Sequence, residues 1–158
     1  MLPASIESHP IARAWTPAVA ERYRRFARSV AGGHELEVTI GRGGLSFYAH
    51  PNTGRTFVCH FNAMPRAGRD DLGFADFQPR AVAPPLDADI VVADLQRRLG
   101  ATIALRAGNA WCGAHFASER DADVATAFRQ AIVDAVLGPA EAIQEEDRWT
   151  TRRAAGSR

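Results

Sequence analysis

Apolar residues alternate with polar ones on both sides of Gly108-Asn109, from Ala101 to Ala107 and from Ala110 to Ala117, the period of a half-buried strand. Glycine accepts the positive φ of a two-residue turn, so the pattern predicts a tight hairpin in which residue 107 faces 110. That register places Ile103, Leu105, Cys112, Ala114 and Phe116 on one face, the expected core face. Thr102, Arg106, Trp111 and His115 fall on the other. Beyond Ser118 the period lengthens to that of a helix: Val124, Ala127, Phe128, Ala131, Ile132, Ala135 and Val136 share a side, and Gly138-Pro139 ends it. Ser118 is expected to cap this helix, with Asp121 completing a capping box.

Earlier in the chain, Thr16-Pro17 reads as a helix start, a capping hydroxyl followed by proline at the first helical position. Val19, Tyr23, Phe26 and Val30 form its apolar stripe, and Gly32-Gly33 ends it. Arg22, Arg24, Arg25 and Arg28 occupy the remaining surface, a solvated face in the plain reading and a phosphate grip in the alternative one. Strands are expected over Leu36–Ile40, Leu45–His50 and Thr56–Asn62. The last two would form a hairpin around Pro51-Asn52-Thr53-Gly54, with Tyr48 opposite Phe57 and Phe47 opposite Val58. Both faces of that ribbon are apolar, so one must meet helices while the other is covered by a second subunit or offered to a partner.

Residues 63–86 carry four prolines and the charges Arg66, Arg69, Asp70 and Asp71, with Phe74 and Phe77 after them. This reads as a long connection that is functional, partly disordered, or pinned by its phenylalanines. Asp87 or Asp89 then caps a helix in which Val91, Val92, Leu95 and Leu99 point inward, ending at Gly100. The organisation expected is a loose N-terminal arm (1–15) whose Ile11 and Trp15 could dock back on the body, a single α+β domain (16–143) and a C-terminal tail (144–158), in which a short helical piece reaching about Trp149 precedes a basic, disordered stretch from Thr150 to Arg158.

A chain of 158 residues suffices for one domain with its own core. No apolar run approaches the roughly 20 residues that span a bilayer, and Met1–Pro10 lacks the basic and apolar regions of a signal peptide. A cytoplasmic protein is expected. All 19 basic residues are arginine, which removes any Schiff-base or P-loop lysine chemistry. A formal net charge of +1 gives no global pull toward nucleic acid or an anionic membrane. The turn Gly41-Arg42-Gly43-Gly44 lacks dinucleotide-loop spacing and opens a strand.

Cys59-His60 and the Cys112/His115 pair invite a metal or nucleophile reading. Side chains at odd separations on a strand point to opposite faces, so neither pair converges by itself. His60 and His115 meeting across the sheet, or a Cys–His dyad, remains the catalytic alternative. No catalytic residue, metal or cofactor is expected. Arg106 beside Trp111 suggests a cation–π contact, and Trp111, if exposed, becomes the leading partner-binding anchor.

The expected order is helix, three strands, helix, two strands, helix. With Phe57-Val58-Cys59-His60-Phe61-Asn62-Ala63-Met64-Pro65, with Leu95-Gln96-Arg97-Arg98-Leu99-Gly100 running into Ala101-Thr102-Ile103-Ala104-Leu105, and with the closing amphipathic helix, the chain resembles the class I type III secretion chaperones from Pro17 to Ile143. The small YjbR-like and YdhG-like proteins, with a nucleic-acid or small-ligand role, are a more distant likeness. The first resemblance implies a secretion-chaperone-like α-β(3)-α-β(2)-α fold and a cytoplasmic homodimer joined through Val91, Val92, Leu95 and Leu99. It also implies apolar patches that hold the N-terminal region of a secreted effector in extended form. Val19, Tyr23, Phe26, Phe47, Tyr48, Phe57, Phe61 and Trp111 would supply that surface. Such proteins are typically acidic, whereas this chain is almost neutral, and their middle connection is shorter than Met64–Pro85.

Overall fold

Thr16 caps the first long helix as its sequence requires, its Oγ1 accepting the Val19 N–H at 3.2 Å. In the computed structural model, which describes residues 2–41, 43–63, 71–82, 84–101, 103, 106–107 and 110–140, two short helical turns precede that point, α1 (Ala4–Glu7) and α2 (Pro10–Arg13). The expected loose arm is docked: Leu2 and Ile6 are buried, and Trp15 stacks on Tyr23 with ring centroids 4.3 Å apart. The long helix α3 (Pro17–Ala31) ends at Gly32, whose φ of 55° is the left-handed conformation that glycine adopts most readily.

Strands β1 (Glu37–Gly41), β2 (Gly44–Ala49) and β3 (Thr56–Asn62) follow, then β4 (Leu72–Phe77) and, after a short 3-10 turn, α4 (Ala88–Leu99). Asp87 caps α4, its Oδ1 accepting from the N–H groups of Asp89 and Ile90. Two further strands, β5 (Arg106–Ala107) and β6 (Cys112–Ala117), lead to the closing helix. That helix runs from α5 (Asp121–Phe128) through a π-helical turn at Arg129–Val133 into α6 (Asp134–Leu137). The six strands form one sheet, antiparallel at every pairing, in the order β1-β2-β3-β4-β6-β5. The fold is α+β, as the patterning predicts.

The order of elements differs from the expected one by a strand. β4 lies inside the segment read as a connection, pairing with β3 on one side and β6 on the other. The prolines of that segment flank Leu72–Phe77 and do not interrupt it, and Gly73, Ala75 and Phe77 are buried at alternate positions. The core is thereby wider than the hairpins alone would build. Phe26 stacks on Phe61 at 3.9 Å, Phe61 on Phe116 at 5.9 Å, and Phe77 meets Phe128 edge-on at 6.2 Å. Helices α3 and α5 therefore cover one face of the sheet.

Three local registers also depart from expectation. Ala107 pairs with Cys112 and Arg106 with Gly113, so residue 107 does not face 110. The shift is by two residues, which preserves the faces: Cys112, Ala114 and Phe116 are in the core, as is Ile103, while His115 is exposed. Thr102, Leu105 and Gly108-Asn109 lie outside the described residues. In the β2–β3 hairpin Tyr48 does face Phe57, but a bulge between Phe47 and Tyr48 sets Phe47 against Cys59 in place of Val58. Val58 and Cys59 are consequently both buried, the signature of one extra residue in a strand. In the closing helix the π turn inserts a residue, so Val133 turns inward and Ala135 is exposed.

The Ser118 capping box is not formed. Ser118–Arg120 is a 3-10 turn without a side-chain cap, and α5 begins at Asp121. The Asp121 carboxylate instead receives Arg22 Nε and Nη2, each at 2.9 Å, and Arg25 Nη2 at 2.9 Å. Arg24 pairs with Glu7 and Arg28 with Glu21. All four arginines of the basic helix face are thus paired with carboxylates, Arg22 in the interior and Arg24 and Arg28 through exposed contacts. The helical piece and tail expected after Pro139 fall, from residue 141 onward, outside the described residues.

Candidate binding site on the open sheet face

Residues that point away from α3 and α5 are set by strand alternation. The pairings His60 with Asp76, Phe74 with His115, Asp76 with Gly113 and Arg106 with Gly113 place all of these on the second face. There a cavity of about 360 Å³ is lined by Phe74, Arg106, Trp111, Gly113 and His115, a size within the ~300–1,000 Å³ of small-ligand sites. The Phe74 and His115 rings form one wall, their centroids 4.7 Å apart at 41°. Trp111 forms another and is 48% exposed.

Gly113 is the floor, and only glycine fits. A Cβ at this position would stand 2.7 Å from both the Asp76 Cβ and the Phe74 Cζ. Asp76, the next residue across the ladder, is 7% exposed. Its Oδ1 accepts no hydrogen bond among the described residues and lies 3.4 Å from His60 Nδ1. The buried carboxylate thus leans toward β3, and Arg106 stands on the opposite side of Gly113.

Arg106 takes part in no ion pair among the described residues, a state it shares only with Arg13 and Arg80 of the described arginines. It is exposed. The cation–π contact found here is that of Arg55 over Tyr48, 3.6 Å from the ring centroid; Arg106 and Trp111 face a common cavity. No match to this chain is found among protein-family models, curated proteins or solved structures. Its function has to be read from this geometry.

The residues expected to form a partner surface divide in two. Val19, Tyr23, Phe26, Phe47 and Phe61 are buried in the chain's own core, which removes them as surface anchors. Tyr48 and Phe57 are half-buried, in edge contact at 5.4 Å, and Trp111 is exposed. Of the residues expected at a dimer interface, Val91, Leu95 and Leu99 are buried and Val92 is half-buried against the core. Their inward orientation was expected; their availability to a second subunit does not follow from it. α4 instead presents Ile90, 69% exposed.

The cysteine chemistry is not assembled. Cys59 and Cys112 are free and buried, on the helix-covered face, while His60 and His115 sit on the other. Burial pushes both thiols above the ordinary thiol range, and the charge of Asp76 adds to it, so neither is an activated nucleophile. Among the described residues, no group of three or more His, Cys, Asp and Glu side chains converges to hold a metal. Sequence reading missed Phe74, Asp76 and Gly113. The alternation in Leu72–Phe77 was the available signal for the first two, obscured by the surrounding prolines and charges.

Proposed function

We propose that this chain is a binding protein that holds an extended segment of a partner polypeptide against the open face of its sheet, anchored at Trp111. The observation that carries this reading is the exposure of Trp111 at the mouth of a preformed cavity. Among the described residues only Ile90 and Trp111 are large hydrophobic side chains left exposed, and tryptophan is among the residues enriched at interface hot spots. Tyr48 and Phe57 extend the aromatic surface on the same face toward β1.

The resemblance to class I type III secretion chaperones supplies the narrower form of the proposal. In it the partner is the N-terminal region of a secreted effector, kept export-competent in the cytoplasm by a homodimer. With Val91, Leu95 and Leu99 in the core, such a dimer would have to meet through Ile90 and its neighbours on α4. No helix among the described residues is long and apolar enough to cross a membrane. Binding of a candidate segment, followed by isothermal titration with wild-type protein and with Trp111→Ala, tests the proposal. Loss of at least about tenfold in affinity in the variant is expected. Equal affinity would end it.

A further inference from the structure

We infer that the cavity on the open face is a site for a planar aromatic acid, with its ring between Trp111 and Phe74 and its carboxylate on Arg106. This goes beyond the polypeptide-binding reading and shares only its location. Trp111, Gly113 and His115 are alternate residues of an extended segment, roughly 7 Å apart in succession. The Phe74 ring takes the place of the missing side chain at the middle position, its Cζ and Cε2 2.7 and 2.9 Å from where a Cβ would stand. The spacing from there to Trp111 is a slot about the thickness of one ring with contact on both sides. Phe74, held over Gly113 and against His115, supplies the second aromatic surface.

The charges orient such a ligand. Asp76 and Arg106 flank Gly113 from the two neighbouring strands, roughly 10 Å apart at ordinary strand spacing. No ion pair joins them. The Asp76 carboxylate is buried and turned to His60, so it repels an acid placed on its side. The Arg106 guanidinium is exposed at the rim, unpaired among the described residues, and its planar fork matches a carboxylate. An acid group is therefore favoured on the Arg106 side, with the ring directed inward between Trp111 and Phe74. The same chemistry is carried by a free aromatic acid and by a polypeptide ending in an aromatic residue.

Titration calorimetry of the full chain with indole-3-carboxylate and with its neutral isostere indole-3-carboxamide tests this. The acid is expected to bind at least about tenfold more tightly than the amide. Arg106→Leu should erase that difference, and Trp111→Ala should weaken both probes at least about tenfold. Both positions are exposed, and circular dichroism verifies that each variant is folded. Equal binding of acid and amide, binding of neither, or a preference that survives Arg106→Leu overturns the inference. A Gly-Gly-Trp peptide with free or amidated C-terminus distinguishes the sources: tighter binding than the free acid by the free-ended peptide alone points to a chain terminus, and otherwise to a small molecule. Probe binding without capture of any polypeptide segment leaves this inference standing and ends the proposed function.

Discussion

Arg22 and Asp121, 99 residues apart in the chain, close a two-pronged ion pair in the interior, with both nitrogen–oxygen distances at 2.9 Å. The pair joins α3 to the start of α5. Arg22 also donates to the Leu72 carbonyl at 3.2 Å, so β4 is tied to the same point. Arg25 adds a second cation. Removing the carboxylate leaves Arg22 buried and uncompensated, and Asp121→Ala should cost about 3–5 kcal/mol. Urea unfolding measures this; a loss under about 1 kcal/mol would mean that the pair is peripheral to stability.

Trp111 is expected to behave oppositely. Its side chain is half in solvent, so Trp111→Ala should change unfolding free energy by no more than about 0.5 kcal/mol. Affinity for a bound polypeptide segment should fall by about 1.4 kcal/mol or more, the tenfold loss expected above. Denaturation and titration on the same preparation separate the two effects. A large stability loss would identify Trp111 as a packing residue.

Gly113→Val probes the floor of the cavity. The new side chain meets the Asp76 Cβ, which is fixed to the backbone, as well as the Phe74 ring. Overpacking of this kind costs roughly 1–3 kcal/mol, and a folded variant should lose ligand and partner binding together. Retention of both would show that the cavity is not used.

The buried thiols predict a specific loss of stability in alkali. Cys59 and Cys112 are held above the ordinary thiol range by burial, with Asp76 adding to it. As pH rises past the unfolded-chain thiol value, about 8.5, the unfolded state releases protons that the native state keeps. Stability from this source is therefore complete below that pH and declines above it, toward the raised native values. The slope approaches about 1.4 kcal/mol per pH unit for each thiol. The chain has no lysine and two tyrosines, so few other side chains titrate there. Urea melts at pH 7, 9 and 10 should show the decline, and Cys59→Ala/Cys112→Ala should flatten it. An unchanged slope in the double variant would assign the effect elsewhere.

Much of the fold was legible because its signals are local. The cap at Thr16, the glycine stops at Gly32, Gly100 and Gly138, and the alternation of β2, β3 and β6 each depend on a few adjacent residues. What escaped depends on pairing across the chain. β4 contains a glycine and an aspartate, lies among prolines and charges, and is stabilised by two neighbouring strands that its own residues do not announce. Asp121 looked like a capping residue because nothing local indicates an arginine arriving from α3. The bulge at Phe47/Tyr48 and the π turn each add one residue, a change that hydrophobic period alone does not locate. At the candidate site, the shared face of Arg106, Trp111 and His115 followed from alternation. The cavity required Phe74 and Gly113, whose roles exist only once β4 and β6 lie side by side.

The central claim is that the face around Trp111 receives another polypeptide in extended form. A photoreactive phenylalanine derivative, which keeps a large aromatic ring at position 111, with a control at the exposed Ala93 of α4, tests it directly in the native cell. The account predicts a crosslinked polypeptide at position 111 and not at 93, with the adduct mapped by mass spectrometry to one unstructured segment of a single protein. The same background adducts at both positions would contradict it.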